Sequence, residues 1–390
     1  MSVFPTVGHF ASWAGACPGH HESPGRERSG RTRPGPALLT SQLTECARAA
    51  VRTKGTYLAE LLRLEWLAAV RPIEAVHTIR SRLQEILDRL TRIGDQRGLA
   101  RAHHAACLMR WDEGRMASAW EHSRLAAEHA RAAGDRGLRT RMLALSVSVL
   151  CTGPLDARAI ARELDAMERE QPGLYLRAFI ELGRSGVALL DGLFDDARQL
   201  IENALEITRA LGMRYHEGGF LMFVGFIELA AGDYAAAHAG FLRADAIQTE
   251  TGDRSFRAFT QAMLAHIAAL AGDRARAQAG IEFAERLAGP DEPLVNARTR
   301  AIRARFALAD GDAAAAERWA RSAVHNTCLT DNVEEQANAK LELARILATL
   351  GRSAEARVEA QAGLDLYRAK GSRPGEAEAQ ALLDELVAGA

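Results

Sequence analysis

The chain has 390 residues, 48% of them apolar and 25% charged, which supplies a large core and makes a single compact domain an unlikely reading at this length. Its 49 basic and 50 acidic side chains give a formal net charge of -1, excluding a global field that would draw it onto nucleic acid or anionic lipid. No apolar run approaches the roughly 18 residues of a membrane span, and no basic segment leads into an apolar stretch at the start, so the expected location is cytoplasmic with no membrane partner.

Residues 1 to 60 differ in texture from the rest. They hold five of the eleven prolines, at 5, 18, 24, 34 and 36, and Arg26, Arg28, Arg31, Arg33, Arg48, Arg52 and Lys54 against Glu22, Glu27, Glu45 and Glu60 give them a net +3. The charge concentrates at Arg26, Arg28, Arg31 and Arg33, within a Gly- and Pro-bearing run of the kind that meets phosphate backbones, or else stands as a solvated loop. Cys17, His20 and His21 form a Cys-x-x-His-His group, but no second ligand pair follows at suitable spacing, so no metal is expected. The five cysteines, at 17, 46, 107, 151 and 328, are scattered and form no Cys-x-x-Cys pair, which fits reduced thiols.

The order of residues in Ser2-Val3-Phe4-Pro5-Thr6-Val7-Gly8-His9-Phe10-Ala11-Ser12-Trp13-Ala14-Gly15 and onward through Arg28-Ser29-Gly30-Arg31-Thr32-Arg33-Pro34-Gly35 to Thr53-Lys54-Gly55-Thr56-Tyr57 resembles the C-terminal module of insertion-sequence transposases with a RuvC-like DEDD nuclease domain. The resemblance implies DNA as a partner through residues 20–35. It also implies a serine nucleophile, at the position of Ser23. Here Ser23 is followed by Pro24-Gly25-Arg26 where the family pattern has glycines and a lysine, and proline restricts the backbone of both residues. The acidic residues of a RuvC-like domain are not found in the sequence, so catalysis by this chain alone is not expected.

From about Leu61 onward the chain is periodic. Glycines at 114, 153, 192, 232, 272, 311 and 351 recur at steps of 39 or 40 residues, each in a short turn between two helical runs. A second series lies between them, at Gly94, Gly134, Gly173, Gly212, Gly252, Gly289 and Gly371, with Asp331-Asn332 in the one vacant place. Each period therefore predicts two helices, closed by left-handed glycines and opened by the neighbouring aspartates as caps. Five residues past the turn glycine stands Ala119, Ala197, Ala237, Ala277, Ala316 or Ala356, with Arg158 as the exception. Small residues there let paired helices approach closely. The predicted fold is all-α, a tetratricopeptide-like solenoid over 61–390 preceded by a short irregular or helical segment, 1–60.

The runs Arg110-Trp111-Asp112-Glu113-Gly114-Arg115-Met116, Leu341-Glu342-Leu343-Ala344-Arg345-Ile346-Leu347 and Gly351-Arg352-Ser353-Ala354-Glu355-Ala356 resemble the repeats of bacterial MalT-type and cyclase-associated signalling ATPases. Such relatives carry a P-loop; no Gly-Lys-Ser or Gly-Lys-Thr occurs here, and no cofactor is expected.

Three clusters within the repeats have competing readings. His103, His104, His122 and His129 lack an accompanying nucleophile and read as boundary residues of the first hairpin. Trp111, Met116 and Trp120 flank the first turn and read as hairpin core. Phe220, Phe223 and Phe226 read as an inter-repeat seam or, if they face the concave side, as a protein-binding groove. Two functions follow: a non-catalytic interaction scaffold with a protein or peptide ligand on its concave repeat surface, fused to a DNA-binding fragment; or an insertion-sequence transposase-family protein, inactive in transposition.

Overall fold

The computed structural model describes residues 73–289 and 292–388. The chain divides after Arg92 into two compact units. The described part of the first is a helix, α1 (Ile73–Ile93), on which Leu83, Ile86 and Leu90 recur at three- and four-residue spacing and are buried. Ser23, Arg26, Arg28, Arg31 and Arg33 lie outside the described residues.

The second unit is a run of helical hairpins. In chain order they are α2 (Gln96–Asp112) with α3 (Met116–Ala132), α4 (Arg136–Thr152) with α5 (Ala157–Glu168), α6 (Leu174–Leu190) with α7 (Phe194–Ala210), and α8 (Arg214–Ala230) with α9 (Tyr234–Thr251). There follow α10 (Arg254–Leu270) with α11 (Arg274–Ala288), α12 (Pro293–Ala309) with α13 (Ala313–Thr327), α14 (Val333–Thr349) with α15 (Ser353–Lys370), and a last helix, α16 (Arg373–Ala388). No strand occurs among the described residues.

The punctuation predicted by the sequence sets these boundaries. At Gly114, φ is +70°, and the Arg115 N–H donates to the Arg110 carbonyl at 2.8 Å, which closes the end of α2. Asp95, Asp135, Asp156, Asp233, Asp253, Asp273, Asp312 and Asn332 each accept a backbone N–H in the first turn of the helix they precede. Two junctions depart from the pattern. Gly153 and Gly173 have φ of -91° and -67°, so neither takes the left-handed form expected of the series.

Packing follows the alanine series. Ala119, Ala197, Ala237, Ala277, Ala316 and Ala356 are all 0% exposed. Arg158 is exposed and its neighbour Ala157 is buried instead. Between α8 and α9, a Cβ on Gly240 would stand 2.9 Å from the backbone nitrogen of Gly225. Around Met116, Ala119, Cys107 and Val149, the half-buried Trp111 and Trp120 complete a small apolar cluster.

Candidate functional site: the inner wall of the solenoid

First helices of successive hairpins pack on one another, α4 on α6, α6 on α8, α10 on α12, and α12 on α14. A stack of hairpins curves toward the side on which its helices come closest, so the first helices form the inner wall. Residues far apart in sequence meet across it. Trp111, at the end of α2, lies edge-on to Phe256 of α10 with ring centroids 6.4 Å apart. Tyr215 and Asp253 are hydrogen-bonded; burial pushes both the phenol and the carboxyl above their usual ranges.

The polar part of the wall is concentrated on α10, α12 and α14. Arg298 donates through Nη2 to both carboxylate oxygens of Glu335, at 2.5 and 2.6 Å, and Arg305 makes a two-nitrogen pair with Glu342. Both pairs join residues 37 apart, one repeat, so the same register is used twice along the wall. Burial would push Glu342 up, but the hydrogen bond and charge of Arg305 and the charge of Arg345 override it and hold the group at about 2. Buried pairs of this kind add little net stability beside an apolar substitute, but losing one partner strands a charge.

Three buried side-chain atoms on this wall have no hydrogen-bond partner, Nε of Arg298 on α12 and Nδ1 of His266 and Oγ1 of Thr260 on α10, as do both amide atoms of Gln248 on the second helix α9. His266 is held neutral, its pKa lowered to about 3 by burial and by the charges of Arg298 and Arg305. Unpaired buried polar atoms cost roughly 1–3 kcal/mol each, and such groups in a folded protein call for an explanation.

The aromatic stripe on α8 is placed differently. Phe220 is buried edge-on to Phe179 of the preceding repeat at 5.2 Å, and Phe226 contacts Phe241 of α9 and Phe259 of α10. Phe223 is half-buried and lies edge-on to Phe226 at 5.9 Å. The three side chains thus join three successive repeats. On the first hairpin, Nδ1 atoms of His103 and His122 stand 3.0 Å apart, one donating to the other, and burial followed by the neighbouring imidazoles lowers His103 to about 4. No metal-holding group of three or more ligands occurs among the described residues, and no described helix is long and apolar enough to cross a membrane.

His266, Arg298 and Arg305 were not singled out from the sequence. The available signal was the recurrence of Arg and Glu 37 apart, which has meaning only once the first helices are known to stack.

Comparisons with known proteins divide along the same boundary as the sequence. Residues 1–62 match the family model described as Transposase IS116/IS110/IS902 family. No curated protein matches the chain. Among solved structures, a Rap protein complexed with Competence and Sporulation Factor is similar with a TM-score of 0.63 at 16% identity, over 85% of this chain and 93% of that one. NprR in complex with its cognate peptide NprX is similar with a TM-score of 0.53 at 17% identity, over 74% of this chain and 82% of that one. The Cut9 and Hcn1 assembly of APC/C matches with a TM-score of 0.58 at 12% identity, over 89% of this chain and 66% of that one. At these identities the likeness shows the fold, a tetratricopeptide-like helical repeat, while residues 1–62 are similar to a transposase family.

Proposed function

We propose that the protein is a non-catalytic, cytoplasmic interaction scaffold whose inner wall binds an extended peptide or protein segment. The observation that carries this reading is the wall of stacked first helices, on which the Arg298–Glu335 and Arg305–Glu342 pairs repeat in one register. A peptide backbone presents a donor and an acceptor at every residue, so it pairs with a wall of charged side chains without requiring a particular side chain of its own. The similar NprR structure contains a cognate peptide, which supports the same use of this architecture.

The test is selection from a random-peptide phage library on the full-length protein. Peptides enriched on the wild type should bind at least about tenfold more weakly to Arg305→Ala, whose side chain is part-exposed on the wall beside Glu342; about 1.4 kcal/mol is one lost hydrogen bond. Equal binding to the variant, or no enrichment at all, contradicts the reading.

A second reading rests on the transposase-family match at residues 1–62. In it Arg26, Arg28, Arg31 and Arg33 contact the DNA backbone, and Ser23 is a nucleophile by family resemblance alone. Four phosphate contacts give a log–log salt dependence of about -3.6 for duplex binding. Replacing Arg28, Arg31 and Arg33 by alanine should flatten that slope to about -1. Absence of salt-sensitive binding rules this role out.

A further inference from the structure

The repeat pattern has four exceptions: the missing junction glycine at Asp331-Asn332, the displaced alanine at Arg158, and two series glycines, Gly153 and Gly173, that are not left-handed. Asp331 and Gly153, with Ala157 beside Arg158, lie at one place in the folded repeats. The Asp331 carboxylate accepts the backbone N–H groups of Met116 and Ala117 at 2.6 and 2.8 Å, and the Asp331 N–H donates to the Gly114 carbonyl at 3.0 Å. Arg115, the residue that precedes α3, makes no side-chain cap of its own. An aspartate about 215 residues away therefore caps this helix.

The second contact has the opposite charge and the opposite helix end. Lys370 is one of three lysines among the 49 basic residues and is 1% exposed. Its Nζ donates to the Gly153 carbonyl at 2.6 Å and to that of Cys151 at 3.5 Å, at the C-terminus of α4. The extended backbone of Gly153 leaves that carbonyl available to Lys370. Asp331 lies 217 residues after Gly114, and Lys370 lies 217 after Gly153, so both contacts span the same number of repeats, about five and a half. Neighbouring contacts reinforce them. The Thr330 methyl fills the space of a Cβ at Gly114, Gly371 lies against Ala157, Pro374 lies against Gly192, and Arg373 pairs with Asp191 at 3.3 Å.

An anion at a helix N-terminus and a cation at a helix C-terminus are the two favourable charge placements on a helix dipole. Among the described residues neither is repeated elsewhere at this sequence distance. We infer that Thr330–Asp331 and Lys370–Pro374 form a clasp that joins one superhelical turn of the solenoid to the next and opens as a unit, setting the pitch and with it the width of the inner wall. The clasp consists mostly of buried and half-buried side chains meeting turn backbone, and no two described helices pack along one another across it. Stacking within the solenoid, by contrast, is held by the buried alanine series. The weaker seam is the one that opens.

Two measurements on the full chain test this. In the wild type, amide hydrogen exchange at Met116, Ala117 and Asp331 should share one opening free energy, below that of Ala119 and Ala237, whose N–H groups bond within their own hairpins. Exchange of the three only with global unfolding overturns the inference. The second measurement is electron–electron distance spectroscopy between a label on Arg115→Cys and one on the exposed native Cys328, with Cys17 and Cys46 replaced by serine. Burial pushes the thiols of Cys107 and Cys151 up to about 12, which keeps them unlabelled. Asp331→Asn combined with Lys370→Met should lengthen and broaden the distance distribution while circular dichroism retains its helical signal. An unchanged distribution overturns the inference.

Discussion

At the scale of single residues, Gly219 and Gly240 show how one substitution has opposite effects in adjacent helices. Nothing lies within 4 Å of a Cβ added at Gly219, in the interior of α8. Alanine there is expected to stabilise by up to about 1 kcal/mol, the helix-propensity difference between the two residues. At Gly240 the added carbon meets the Gly225 backbone at 2.9 Å, and backbone cannot move aside as a flexible side chain does. Overpacking costs roughly 1–3 kcal/mol and exceeds the propensity gain, so Gly240→Ala is expected to lower the urea midpoint while Gly219→Ala raises it. Equilibrium unfolding of the two variants checks both signs.

The buried imidazoles give a pH dependence at the same scale. His104 and His216 are lowered to about 4 and His266 to about 3, in each case chiefly by burial. Unfolded, each takes up a proton near pH 6.5. Between that value and the folded pKa the unfolded state binds more protons, so stability is full above about pH 6.5 and is lost as pH falls toward 4. Glu342, held at about 2, adds its loss only below the ordinary carboxylate range near 4.5. Urea midpoints measured from pH 7 to 4.5 should fall for the wild type and fall less for His266→Gln. Parallel curves for the two proteins contradict the assignment.

At the scale of elements, the hairpin depends on small residues at the crossing of its helices. Ala237 and Ala316 are wholly buried. Leucine at either should destabilise by about 1–3 kcal/mol, read as a lower melting temperature with the helical signal preserved below it. Helices, turns and these alanines were legible in the sequence because each is written locally: a glycine that ends one helix, an aspartate that caps the next, a small residue one turn further. Gly153 was not legible, since its extended backbone is tied to Lys370, 217 residues away. Gly173, likewise, ends no left-handed turn, and its helix begins directly after it. The Phe220, Phe223 and Phe226 stripe was visible as a stripe, but its direction depends on the curvature of the stack.

At the scale of the molecule, a period of 39 to 40 residues implies a solenoid without stating how tightly it coils. Coiling brings Trp111 against Phe256 and Asp331 against Met116, and it places His266, Arg298 and Arg305 on one wall. Those placements arise from small rotations summed over several repeats, which no local pattern encodes. The transposase-like residues 1–62 were legible for the opposite reason, by their order and identity alone. The scaffold and the N-terminal segment thus carry separate functional readings, and the larger one rests on the inner wall. Amide hydrogen exchange with a library-selected peptide tests it most directly. Protection should fall on α10, α12 and α14 and spare α9, α11 and α13; protection on those second helices, or confined to residues 1–62, would contradict an inner-wall ligand site.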